Sequence, residues 1–120
     1  MAFRLFAASL LASIAATSAI AQPAWVEIGS RVTVPAFSAI VDDVDDWDVY
    51  SVDGQEIGEV EEVLGPDART PTALAIDFEG NAGFVDRDII VPLDRFALEQ
   101  NRLVLRASPS EVEAMERHRD

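Results

Sequence analysis

Five carboxylates crowd into seven residues at Asp42-Asp43-Val44-Asp45-Asp46-Trp47-Asp48. Aspartate oxygens are hard ligands that suit Ca²⁺, so Asp42, Asp43, Asp45, Asp46 and Asp48 are the candidate metal ligands of this chain. An EF-hand loop places a glycine sixth and a glutamate twelfth, and no starting position in the run supplies both. The plainer reading is a solvated acidic loop that keeps the protein soluble. Trp47 lies inside this run and Tyr50 just beyond it. Aromatic side chains rimmed by charge are what a docking surface uses, and Trp25 and Phe37 extend the set. The same rings are equally suited to plugging a β core.

Catalytic chemistry finds little to work with. The single histidine, His118, stands near the C-terminus, where it reads as a solvated partner for helix carbonyls rather than a general base. Ser38, Ser51, Ser108 and Ser110 have neither a lysine nor a placed histidine to activate them. Carboxylate pairs abound, but in so acidic a chain they arise by chance and none satisfies a set of catalytic roles. No cysteine is present, which removes disulfides, thiolate metal sites, a lipid-anchoring cysteine and a thiol nucleophile. The sequence therefore points away from an enzyme and calls for no cofactor.

The net charge is −13, from 22 acidic residues against 9 basic ones. Such a surface does not cover phosphates, which excludes nucleic-acid binding, and it disfavours anionic membranes. A protein partner is expected to be basic and to associate in a salt-sensitive way. The sequence names neither that partner nor the oligomeric state. Residues 1–21 have the layout of a secretory signal: Arg4, an apolar run from Leu5 to Ile20, and Ala19-Ile20-Ala21 before Gln22-Pro23. Cleavage after Ala21 would leave a periplasmic or secreted protein with no stable membrane insertion. What remains suffices for one modest core and one domain.

The elements that must position these residues read as mainly β. Residues 22–45 form a leader and acidic loop, with Pro35 interrupting the apolar run Arg31–Val41. From Asp48 on, Val49–Val52 leads into Asp53-Gly54, a pair suited to a type I′ hairpin turn. Glu56–Leu64 is ambiguous: Ile57, Val60 and Val63 are spaced like a helix face, yet Gly58, the preceding turn and the β-branched residues favour a strand. Strand is the reading adopted. Leu74, Ile76 and Phe78 alternate with Ala73, Ala75 and Asp77 as the clearest strand. Ile89–Leu93 and Leu103/Leu105 add short strands. Ser108-Pro109-Ser110-Glu111 is a capping box that opens a terminal helix, with Val112 and Met115 as its apolar stripe and Glu113 and Arg117 spaced for an ion pair. Short strands with one terminal helix suggest a small antiparallel β-barrel or rolled sheet.

The run Val49-Tyr50-Ser51-Val52-Asp53-Gly54-Gln55-Glu56-Ile57-Gly58-Glu59-Val60 resembles the opening of a PRC-barrel domain. Arg87-Asp88-Ile89-Ile90-Val91-Pro92 is similar to that family's later strand ending in Val-Pro, and Asn101–Leu105 with Ser108–Glu111 fits its close. The likeness covers residues 46–116, followed by a tail at 117–120. One departure is Val85, where a second glycine is frequent. The resemblance implies a small non-enzymatic barrel acting through protein contacts, as in a photosynthetic reaction-centre subunit and a ribosome maturation factor. It carries no catalytic residues to this chain.

Overall fold

The computed structural model describes residues 24–119, and the expected signal segment at 1–21 lies outside them. In chain order come β1 (Val26–Glu27), β2 (Thr33–Val34), a 3₁₀ turn at Pro35–Phe37, β3 (Ala39–Ile40), α1 (Val41–Val44), β4 (Asp48–Tyr50) and β5 (Glu56–Gly65). Then follow β6 (Ala73–Phe78), β7 (Asp88–Pro92), a second 3₁₀ turn at Leu93–Arg95, β8 (Phe96–Glu99), β9 (Arg102–Leu105) and α2 (Pro109–Glu113). The main sheet runs β7-β6-β5-β4-β9-β8, with β1 against the far end of β5, and β2 and β3 form a separate hairpin. Every pairing is antiparallel except β4 with β9.

The expected antiparallel barrel is corrected in two respects: one pairing is parallel, and no pairing joins β7 to β8 among the described residues. The outer edge of β7 is already occupied. Arg117 forms an antiparallel bridge with Ile89, the Ile90 N–H donates to the Glu116 carbonyl at 2.8 Å, and the His118 N–H donates to the Asp88 carbonyl at 2.8 Å. Once that edge is satisfied it offers β8 no row of free backbone groups. The sheet still curls about one core, since Ile89 on β7 and Phe96 on β8 belong to the same buried cluster.

The long strand β5 explains the ambiguous spacing of its sequence. Val49 opposes Gly58 while Tyr50 opposes Glu56, leaving Ile57 as an extra residue. A second irregularity follows, with Val60 opposite Ile76 and Glu62 opposite Ala75, which leaves Glu61 extra. Two bulges turn a period-two strand into a chain whose buried residues Ile57, Val60 and Val63 recur every three positions. The strand reading holds, and the helix-like spacing is the signature of the bulges.

Several local expectations are revised. Residues expected as a leader enter the core, because Ile28, Val34, Phe37, Val41 and Val44 are all buried. Phe37 is thereby removed from the docking aromatics: its ring lies edge-on to Phe96 with centroids 6.5 Å apart. Between β4 and β5 only Gly54 takes positive φ, and the Gly54 N–H donates to the Ser51 carbonyl at 2.9 Å. With Ser51 N–H bonded to the Gln55 carbonyl, this is a three-residue loop rather than a type I′ turn. Gln100 and Asn101 both have positive φ and supply the two-residue turn between β8 and β9. The strand β8 was not legible, since Phe96–Glu99 shows no clean alternation.

The capping box forms as its spacing requires, with the Glu111 N–H donating to Ser108 Oγ at 3.1 Å and the Ser108 N–H donating to Glu111 Oε1 at 2.8 Å. Glu111 also meets Arg95 at 3.1 Å. The helix ends at Glu113, so the expected pairing of Glu113 with Arg117 is replaced by the β-bridge of Arg117. The tail is an edge element of the sheet.

Gly65 closes β5 where no side chain fits. A Cβ there would lie 1.8 Å from the Thr70 carbonyl oxygen. Gly65→Ala is expected to cost about 2 kcal/mol or more by forcing the loop away, read as a lowered urea midpoint with an unchanged slope.

Candidate functional site

The acidic run is not a single loop. Val41 and Val44 anchor α1 in the core, which turns Asp42 and Asp43 outward. Asp45 ends that turn, Asp46 makes a corner with φ of 74°, and Asp48 begins β4. The five carboxylates are thus divided among a helical turn, a corner and a strand. Among the described residues no three histidine, cysteine, aspartate or glutamate side chains converge as metal ligands. Burial, followed by the charges of Asp46, Glu27, Asp42 and Glu62, holds the Asp45 carboxyl above the usual aspartate range.

The two expected docking aromatics do meet. Trp47 and Tyr50 line one shallow depression of about 330 Å³ with Leu98 and Arg102. Both are half-buried. Trp47 packs against Phe37 with ring centroids 6.0 Å apart, while the Arg102 guanidinium lies 4.5 Å over the Tyr50 ring. Trp47 therefore acts both as a core side chain and as a surface one. Leu98 and Val52 stand exposed beside this depression or its neighbour.

Strand register assembles a feature that the linear sequence hides. Asp48 on β4 opposes Glu59 on β5, Glu59 opposes Asp77 on β6, and Asp77 opposes Asp88 on β7. Directly paired residues share a face, so four carboxylates form a row across four strands. Among the described residues no ion pair engages any of the four. Burial first, and then the Asp88 charge and a hydrogen bond with that carboxyl, raise Asp77 above its ordinary value; Glu59 and Asp86 add to the effect. Beside the row, the Asp48 charge raises Glu56 in the same sense. Like charges directly opposite one another destabilise a sheet, and this row has three such pairs in succession.

The same outer face continues past Asp77 into an apolar patch. Ala75 opposes Glu62 and Ile90, and Ala73 opposes Leu64 and Pro92. Leu64, Ala73, Ala75 and Ile90 form a second buried cluster, separate from the main core. Two polar bridges reach this region, one from Trp25 and one from the C-terminal tail. The Trp25 indole N–H donates to Glu116 Oε1 at 3.1 Å, and His118 Nε2 lies 3.0 Å from Glu62 Oε2. The His118 side chain is only 9% exposed, which corrects its reading as a solvated cap for helix carbonyls. It follows β7 because the helix has already ended. Around these bridges lies an open groove of about 1120 Å³, whose walls include Trp25, Glu27, Glu62, Glu116 and Arg119. The sequence marked Trp25 as a docking aromatic, but no spacing signalled that residues 91 positions apart would meet.

A family model described as PRC-barrel domain matches residues 40–112, more than half of the chain. No curated protein matches it.

The acidic row has a definite pH consequence. A carboxyl whose folded proton affinity exceeds its unfolded one contributes stability that is fully present below the unfolded pKa and is lost as pH rises through the folded pKa. Asp77 and Glu56 belong to this class. Asp67 and Glu111 oppose them, being lowered chiefly by backbone N–H groups of Arg69 and Ser108 respectively, so their contribution is lost as pH falls. Asp77→Asn is expected to raise stability at pH 7 by about 0.5–1 kcal/mol, the scale of its two relieved cross-strand repulsions, with Glu59 and Asp88. It should also flatten the rise in melting temperature as pH falls from neutral toward the carboxylate range, as calorimetry at several pH values will show.

Proposed function

The chain belongs to the PRC-barrel domain family, and we propose that it serves as an exported docking module for a basic protein partner, without catalytic activity of its own. The observation that carries this reading is the row Asp48–Glu59–Asp77–Asp88, set in register across four strands with no ion-pair partner among the described residues. Each carboxylate in it is costly to hold beside the next, and a cationic surface laid on the sheet would relieve all three repulsions together. The depression at Trp47 and Tyr50 adjoins the Asp48 end of the row, offering the mixed aromatic and charged edge of an interface. Export follows from the signal-like residues 1–21, which bring the chain to a periplasmic or secreted destination.

The reading is tested by crosslinking the protein in the exported fraction and quantifying partners by mass spectrometry, at low and high salt and with Ca²⁺ or chelator. A stoichiometric basic partner is expected in both cation arms. Its yield should fall with salt and fall severalfold in Asp48→Asn/Glu59→Gln. Capture only in the Ca²⁺ arm, lost in Asp43→Asn/Asp45→Asn, would instead favour cation binding by the Asp42–Asp48 run. Capture insensitive to both salt and the row substitutions would refute the acidic face as the docking surface.

A further inference from the structure

We propose that the groove between Trp25 and the C-terminal tail receives an arginine side chain from the basic partner, stacked on the Trp25 ring and held by the surrounding glutamates. This inference rests on the docking reading above and assigns it a second, more selective contact. Three features of the groove support it. Trp25 keeps 38% of its surface exposed even though its indole N–H is fixed to Glu116 at 3.1 Å. A partly exposed aromatic ring held in place by its own N–H is a platform for a planar cation. Glu27, Glu62 and Glu116 line the same groove, the last two also engaged by His118 and the Trp25 indole, with Arg117 and Arg119 on the tail. Carboxylates beside an aromatic face select a cation over an anion, and their paired oxygens match the guanidinium fork.

The third feature is continuity. Glu62 is paired to Ala75, the outward neighbour of Asp77 along β6, so the groove adjoins the acidic row on a single sheet face. A basic segment crossing the row would bring its next cationic side chains to Trp25. The volume, about 1120 Å³, is large for a small-molecule pocket and suits a short peptide segment. The molecule already holds one instance of the same chemistry, the Arg102 guanidinium 4.5 Å over Tyr50. Lysine would satisfy the glutamates but would lose the planar stacking, so the groove should distinguish arginine from lysine whereas the acidic row alone should not.

The test uses the full chain and two fluorescein-labelled probes, acetyl-Gly-Arg-Ala-Arg-Leu-Arg-Gly-amide and its counterpart with lysine in place of each arginine, titrated by fluorescence anisotropy. The arginine probe is expected to bind about threefold or more tightly than the lysine probe, the scale of one exposed cation–π contact. Trp25→Ala should abolish that preference, while Trp25→Phe, which keeps an aromatic face, should retain part of it. Glu27→Gln should weaken both probes about equally. An unchanged melting temperature will show that each variant is folded, and Glu27→Gln provides the test if Trp25→Ala is not. Equal binding of the two probes, or a preference unaffected by Trp25→Ala, would overturn the groove assignment. If Asp48→Asn/Glu59→Gln still weakened both probes in that case, the acidic docking face would stand without the groove. Failure of the parent protein to bind either probe would overturn the groove assignment as well, leaving the docking reading to the crosslinking experiment.

Discussion

The pairing of β5 on both of its edges is the constraint on which the rest of the molecule depends. Over ten residues this strand holds β4 and β1 on one side and β6 on the other. Its two bulges allow it to keep Ile57, Val60 and Val63 in the core while turning enough to reach both partners. Without the extra residue at Glu61, the pairing beyond Val60 would shift by one position and Val63 and Leu64 would exchange faces. Val63 belongs to the main core and Leu64 to the outer patch, so this one irregularity separates the two apolar clusters.

The acidic outer face is a consequence of the same register. In β6 the alternation sends Leu74, Ile76 and Phe78 inward and leaves Ala73, Ala75 and Asp77 outward. Small residues there keep the outer face low, and Trp25 and the C-terminal tail fill it partly, through the Trp25–Glu116 and His118–Glu62 bridges. At the Asp77 end no such bridge is made among the described residues, and the carboxylates stand in line. One sheet face thus passes from acidic to apolar within a few residues along a single strand, a combination suited to recognising a partner segment with both cationic and apolar side chains.

The C-terminal tail links fold and site. By pairing with β7 it removes the edge that a closed barrel would have used, and by carrying Glu116 and His118 it supplies two polar contacts of the outer face, to Trp25 and Glu62. The capping box makes this possible. Ser108 and Glu111 fix where α2 begins, Val112 pins it to the core, and the chain leaves the helix after one turn, close to β7. A longer helix would have carried Arg117 and His118 away from the sheet.

Residue types and local spacing were enough to determine the capping box and the strand at Ala73–Phe78, which rest on contacts within a few residues or on a period of two, and also the β character of Glu56–Gly65 and the family likeness, which rest on residue types and their order. The acidic run and its aromatics were also visible, though their arrangement was not: Val41 and Val44 needed burial, and that wound Asp42 and Asp43 into an exposed helical turn, while Asp48 begins a strand. The row Asp48–Glu59–Asp77–Asp88 belongs to tertiary structure alone, since its members come from four strands and meet only through register and bulges. The same holds for Trp25 and Glu116, and for His118 and Glu62, whose contacts depend on where β1 and the C-terminal tail come to rest against the sheet. Sequence determined which segments extend, turn and cap. Long-range pairing decided which charges became neighbours, because a one-residue change in register moves every side chain of a strand to the opposite face.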